Sequence, residues 1–284
     1  MIEDFIQYDF IRNAAIVGIM IGFLAPLLGV FIVVRRQSLI ADALSHITLA
    51  GIAASLLLSK QFVVFKNLNP VYIGMAFSVT GSILIERLRK EYKHYQELAI
   101  PIILSVGIGL SVVFISLANG FNTDLFNYLF GSIIAVGDTD VWMVFTVLIV
   151  VVFAIIVFYK ELFLLSFDEE QAHVSGIRSR FIHFLFMVMV ALVIAASMRI
   201  VGILLVSSLI TLPVAASIRI ATGFKKAIFY AIVFGEMSVV SGLIFSYYFD
   251  LAPGGTIVLF AALILIFVIV WKKYRYTFHK RKTG

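Results

Sequence analysis

The stretch Val141-Trp-Met-Val-Phe-Thr-Val-Leu-Ile-Val-Val-Val-Phe-Ala-Ile-Ile-Val-Phe-Tyr159 runs for 19 residues without a formal charge. As a helix it is about 28 Å long, close to the thickness of a bilayer's hydrocarbon core. It is apolar on every face, so no amphipathic stripe is left to pack on a soluble core. Asp138 and Asp140 precede it, and Lys160 and Glu161 follow at once. The stretch reads as a transmembrane helix.

Runs of the same kind fill the chain on both sides of it. They cover about 14–34, 38–58, 71–85, 99–118, 181–198, 200–218, 227–248 and 254–271. With 141–159 they predict an all-α polytopic bundle of about nine spans, forming one integral membrane domain over residues 1–284. The apolar segment 122–137 is shorter and reads as a half-span or re-entrant helix buried in protein. Composition agrees: 62% of the 284 residues are hydrophobic and only 13% charged, and mean hydropathy is +1.09. These values exclude a soluble enzyme, a disordered chain and a nucleic-acid-binding module. The chain has no cysteine, so disulfides, thiolate metal sites and cysteine nucleophiles are excluded. Acids at Glu3, Asp4 and Asp9 replace the basic start of a secretory signal.

Charge placement predicts the orientation. The basic tail 272–284 reads as cytoplasmic by the positive-inside rule. Counting back through nine spans puts the N-terminus outside. Arg35–Arg36, the cluster from Arg87 to Lys93, Lys160 with Arg178 and Arg180, Arg219 with Lys225 and Lys226, and the tail then all lie inside. They amount to 18 of the 22 basic residues, with Arg12, Lys60, Lys66 and Arg199 outside. Asp124, Asp138, Asp140 and Asp250 fall on or near outer loops. There they would raise the local cation concentration at an entrance, or serve as ordinary loop acids and helix caps.

Ionisable residues at membrane depth are costly and mark function. In Asp42-Ala-Leu-Ser-His46 the Asp and His stand at i and i+4, on one helical face. Carboxylate and imidazole both ligate divalent transition metals, and other helices, water or a second subunit would complete the shell. A polar pair packed in the bundle explains the same spacing. Glu236 is the only formal charge in the run 227–248. It reads as a further ligand, a proton-linked acid, a partner for a basic group or a carboxyl that fixes helix packing. His183 reads as interfacial beside Arg180.

The stretch Ser166-Phe-Asp-Glu-Glu-Gln-Ala-His-Val-Ser-Gly176 is too polar to span. Asp168 and Glu169 suit a helix start and Gly176 a stop, which predicts a short cytoplasmic amphipathic helix. Phe167 and Val174 would give it an apolar contact face. It reads as a plain surface helix or as a docking element for a soluble motor subunit. The outer stretch 251–255, Leu-Ala-Pro-Gly-Gly, reads as a tight turn.

Together these residues resemble the membrane permease of bacterial ABC importers for zinc or manganese. The resemblance rests on Val34 to His46, Asp124 to Gly131, Phe167 to Gly176, Val201 to Ala216 and Phe245 to Gly255, in the family's order. It implies a non-catalytic permease of the bacterial plasma or inner membrane that forms a homodimer in lipid. Cytoplasmic ATP-binding subunits would dock on its coupling helices, and an external binding protein would deliver the metal. The family's metal contacts fall on Asp42 and His46, and its coupling helix on Asp168, Glu169, Glu170, Gln171, Ala172 and Gly176. Asp124-Leu-Phe-Asn-Tyr-Leu-Phe-Gly131 looks more like the zinc branch. Zn(2+) is then the transported ion, with Mn(2+) the alternative, and no cofactor is permanently bound.

The residues themselves agree with that implication. No G-x-x-x-x-G-K-[ST] motif is present, so energy must come from a separate subunit or an ion gradient. A secondary metal or proton-coupled transporter with Glu236 as proton carrier is the rival, although clear inverted repeats are missing. An intramembrane hydrolase would lack both H-E-x-x-H and G-x-S-x-G.

Overall fold

The computed structural model describes residues 8–282, apart from 63, 64, 66, 67, 93, 119, 121 and 122. The described chain is helical, as its composition requires when lipid offers no partner to free backbone groups. Its helices are α1 Asp9–Val34, α2 Leu39–Gln61, α3 Pro70–Glu91, α4 Ala99–Leu117, α5 Thr123–Phe130 and α6 Asp138–Val157. After them come α7 Tyr159–Phe167, α8 Glu169–Val174, α9 Ser179–Val201, α10 Ile203–Ile220, α11 Phe224–Phe249 and α12 Pro253–Lys282. Eight of these are long and apolar enough to cross a membrane, and α10 contributes a shorter apolar stretch. All nine expected runs are therefore helices. Among its described residues, the 122–137 segment holds only the eight-residue α5, about 12 Å long and too short to span.

Side-chain contacts at the two ends fix the alternation of the helices. Arg35, after α1, meets Ser166 at the end of α7, and Arg89 of α3 meets His183 of α9. Lys272 of α12 reaches the Arg219 carbonyl of α10. At the opposite end Asn13 of α1 donates to Asp138 of α6 at 2.7 Å. Asn69, before α3, donates to Asp140 at 3.1 Å, and Arg199 of α9 reaches the same carboxylate. These pairings require that α5 does not cross, which is the arrangement the charge count favours.

Helices α1, α2 and α9 are mostly buried, whereas α4, α6, α11 and α12 turn much of their surface outward. The outward faces carry residues such as Val112, Val113, Phe153 and Ile156, an apolar surface suited to lipid. Helix α2 packs between α3 and α4 and also touches α10, while α1 packs on α11, α10 and α6. Gly202, at φ 80°, separates α9 from α10, a backbone conformation other residues rarely adopt. The 251–255 turn differs from expectation. Asp250 takes a left-handed conformation that ends α11, and Pro253 already opens α12, where a missing N–H costs nothing. The basic tail continues α12 as far as Lys282; residues 283 and 284 lie outside the described residues.

Candidate functional site

Asp42 and His46 sit one turn apart near the start of α2, both half-buried. At 1.5 Å per residue they lie about 5 and 11 Å from the helix start, so they belong to the half of the bundle nearer Arg35 and Arg36. The surrounding helices hold this turn closely. Ser111 of α4 donates its hydroxyl to the His46 carbonyl at 3.0 Å and to the Gly107 carbonyl at 2.7 Å. A Cβ at Gly107 would come within 3.0 Å of the Ile47 nitrogen, so glycine permits the close approach of α4. Between the pair, the buried Ser45 hydroxyl has no hydrogen-bond partner.

Among the described residues no group of three or more His, Asp or Glu side chains is placed to hold a metal ion. Asp42 and His46 therefore form a two-residue set within one chain. Glu236 lies elsewhere. It is half-buried on α11 and faces α1, where its carboxylate oxygen stands 3.2 Å from the position a Cβ of Gly22 would take. Helix α11 packs on α1, α10 and α12, whereas the pair's helix packs chiefly on α3 and α4.

The four acids expected at an entrance separate into different roles. Asp140 is only 1% exposed and accepts from Arg199 at 2.6 Å, from Asn69 at 3.1 Å and from the Gly137 amide at 3.0 Å. Arg199 also donates to the Ala135 carbonyl at 2.9 Å and to the Tyr128 hydroxyl at 3.1 Å. Asp140 thus caps the start of α6, one of the expected readings, but it is not a solvated acid: burial demands a partner, and Arg199 supplies it. Asp138 is exposed and holds Asn13, and Asp250 is exposed where α11 ends. Asp124 is the second residue of α5, and its side chain lies outside the described residues.

The 166–176 stretch holds a short helix, α8, as expected. Asp168 accepts the Gln171 amide at 2.9 Å and so caps α8. Gly176 follows it at φ 79°. Ala172 is buried, while Phe167 is 60% and Val174 87% exposed, so the apolar contact face is open. The side chains of Glu169 and Glu170 lie outside the described residues.

One polar cluster goes beyond what the sequence pattern predicts. His183 lies near the start of α9, at the basic end of the bundle, and is buried there, with its Nε2 3.0 Å from Glu86 Oε1 and against Arg89. The available sequence signals are Glu86 and Arg89, one turn apart near the end of an apolar run.

The model of the family described as "ABC 3 transport family" matches residues 7–272. The manganese import system permease protein ScaB of Streptococcus gordonii is 36% identical over 99% of this chain and 100% of its own. The high-affinity zinc uptake system membrane protein ZnuB of Haemophilus influenzae is 29% identical over 92% of this chain and 97% of its own. The solved structure of PsaBC from Streptococcus pneumoniae in complex with Fab superposes with a TM-score of 0.82 at 33% identity. It covers 94% of this chain and 93% of that one. These matches do not single out the zinc branch.

Proposed function

The chain belongs to the ABC 3 transport family, and from that premise we propose that it is the permease subunit of an ATP-driven importer for a divalent transition metal ion. The observation that carries this reading is the Asp42–His46 pair, an acid and an imidazole one turn apart on an inner helix of a membrane bundle. Two ligands per chain hold an ion loosely enough for release, which a closed four-ligand cage would oppose. A second copy of the chain, related by a two-fold axis, supplies the remaining ligands. Manganese is the first candidate ion, because the manganese-named relative is the more similar of the two; zinc is the alternative.

The chain carries no phosphate-binding loop, so ATP hydrolysis falls to cytoplasmic subunits that dock on α8. The open residues Phe167 and Val174 form that contact, and an external binding protein presents the ion at the opposite end. The basic end and the C-terminus face the cytoplasm. The test is uptake of labelled manganese into vesicles carrying the permease with its ATPase, with zinc as competitor. ATP-dependent uptake blocked by excess of either metal supports the reading. Uptake driven by a proton gradient without ATP overturns it.

A further inference from the structure

We propose that the basic end of the bundle holds a binding site for a phosphate group, between α3 and α9. A cavity of about 390 Å³ opens there, large enough for a headgroup-sized ligand. Arg89 and Lys90 line it from α3, and Ser179, Arg180 and His183 line it from α9. Glu86 is the one carboxylate in the lining, and it is already engaged by His183 at 3.0 Å and Arg89 at 3.6 Å. The lining thus holds two more positive than negative charges, not counting His183.

Cations brought together in a half-buried cavity repel one another unless an anion joins them. A phosphate group suits this lining by charge: Lys90 and Arg180 supply it at the rim, and Arg89, whose Nη1 already meets His183 and Glu86, adds it at the wall. The Ser179 hydroxyl is only weakly committed, to the Ile177 carbonyl at 3.4 Å. His183 is nine-tenths buried, and its Nε2 is held between Glu86 and Arg89 at the wall of the cavity. A ligand here would tie α3 to α9 across the cavity, at a site separate from Asp42 and His46. The phosphate group can come from an anionic phospholipid of the surrounding leaflet or from free phosphate.

The test uses the full-length permease and the double variant Lys90→Gln/Arg180→Gln. Both side chains are exposed, so the variant retains the fold. Thermal unfolding in neutral detergent is followed with inorganic phosphate, and with chloride at equal ionic strength. In parallel, the protein is re-extracted from phosphatidylcholine nanodiscs doped with phosphatidylglycerol, and its retained lipid is weighed by native mass spectrometry. Phosphate should raise the melting midpoint of the parent more than chloride does. The variant should bind about a hundredfold more weakly, about tenfold for each charged hydrogen-bond donor removed. Protection by phosphate without selective lipid retention assigns the site to free phosphate. Selective retention of phosphatidylglycerol without phosphate protection assigns it to a headgroup. Absence of both effects, or equal effects in parent and variant, overturns the proposal.

Discussion

Arg35 donates its Nε–H to the Ser166 hydroxyl at 3.1 Å. Its guanidinium also lies 4.6 Å over the Phe186 ring of α9. Arg35 closes α1 just before the helix that carries Asp42 and His46, and Ser166 stands two residues before the cap of α8. One side chain thus ties the end of α1 to the end of α7, with α2 following the first and α8 the second. Arg35→Met should cost about 2–3 kcal/mol, because it removes a charge-assisted hydrogen bond and a cation–π interaction. Beyond that cost it should lower metal moved per ATP hydrolysed. Unaltered melting and unaltered coupling in reconstituted vesicles would show that this contact transmits nothing.

Glu169→Lys/Glu170→Lys should weaken retention of the ATPase subunit on purification, or leave hydrolysis running without uptake. Val174→Asp should act in the same direction, because Val174 offers an almost fully open apolar surface and a charge there opposes burial. Metal affinity of the permease itself should stay as it was. Normal retention and coupling in all these variants would place the motor contact elsewhere.

At the opposite end, Arg199→Met leaves Asp140 buried without its cation. Breaking a buried pair from one side costs about 3–5 kcal/mol, while replacing both partners is far milder. Arg199→Met should therefore lower the unfolding midpoint sharply, and adding Asp140→Asn should restore most of it. Denaturation in detergent measures both. Two costs that simply add would mean that the pair is not energetically coupled.

The spans are legible in the sequence because each must satisfy its backbone internally and present an apolar surface, which leaves long charge-free runs. The cap at Asp168 and the stop at Gly176 are legible because they act through neighbouring residues. Partners far apart in the chain are not. Asp140 and Arg199 are separated by 59 residues and Arg89 and His183 by 94, and nothing local to either residue names the other. Arg199 carries a signal all the same: it interrupts an apolar stretch from 181 to 218, and a charge at that position requires a partner. Likewise Glu236 and the Asp42–His46 pair look alike in the sequence as intramembrane charges. Only helix packing places Glu236 against α1, away from that pair.

Asp42→Ala and His46→Ala should each reduce uptake by more than about a hundredfold, above the 10–100-fold that even outer-shell partners of a metal site are worth. The complex should still assemble, since both side chains are only half-buried. One chain provides no third ligand to this pair among the described residues. A second copy across a two-fold axis would repeat it and give two carboxylates and two imidazoles, enough for a four-coordinate ion. A covalently linked dimer with His46→Ala in only one half distinguishes this from two separate pathways. If the site is shared, one lesion removes a ligand from every transport event and uptake collapses. If about half the activity survives, each chain conducts on its own and the shared site is wrong.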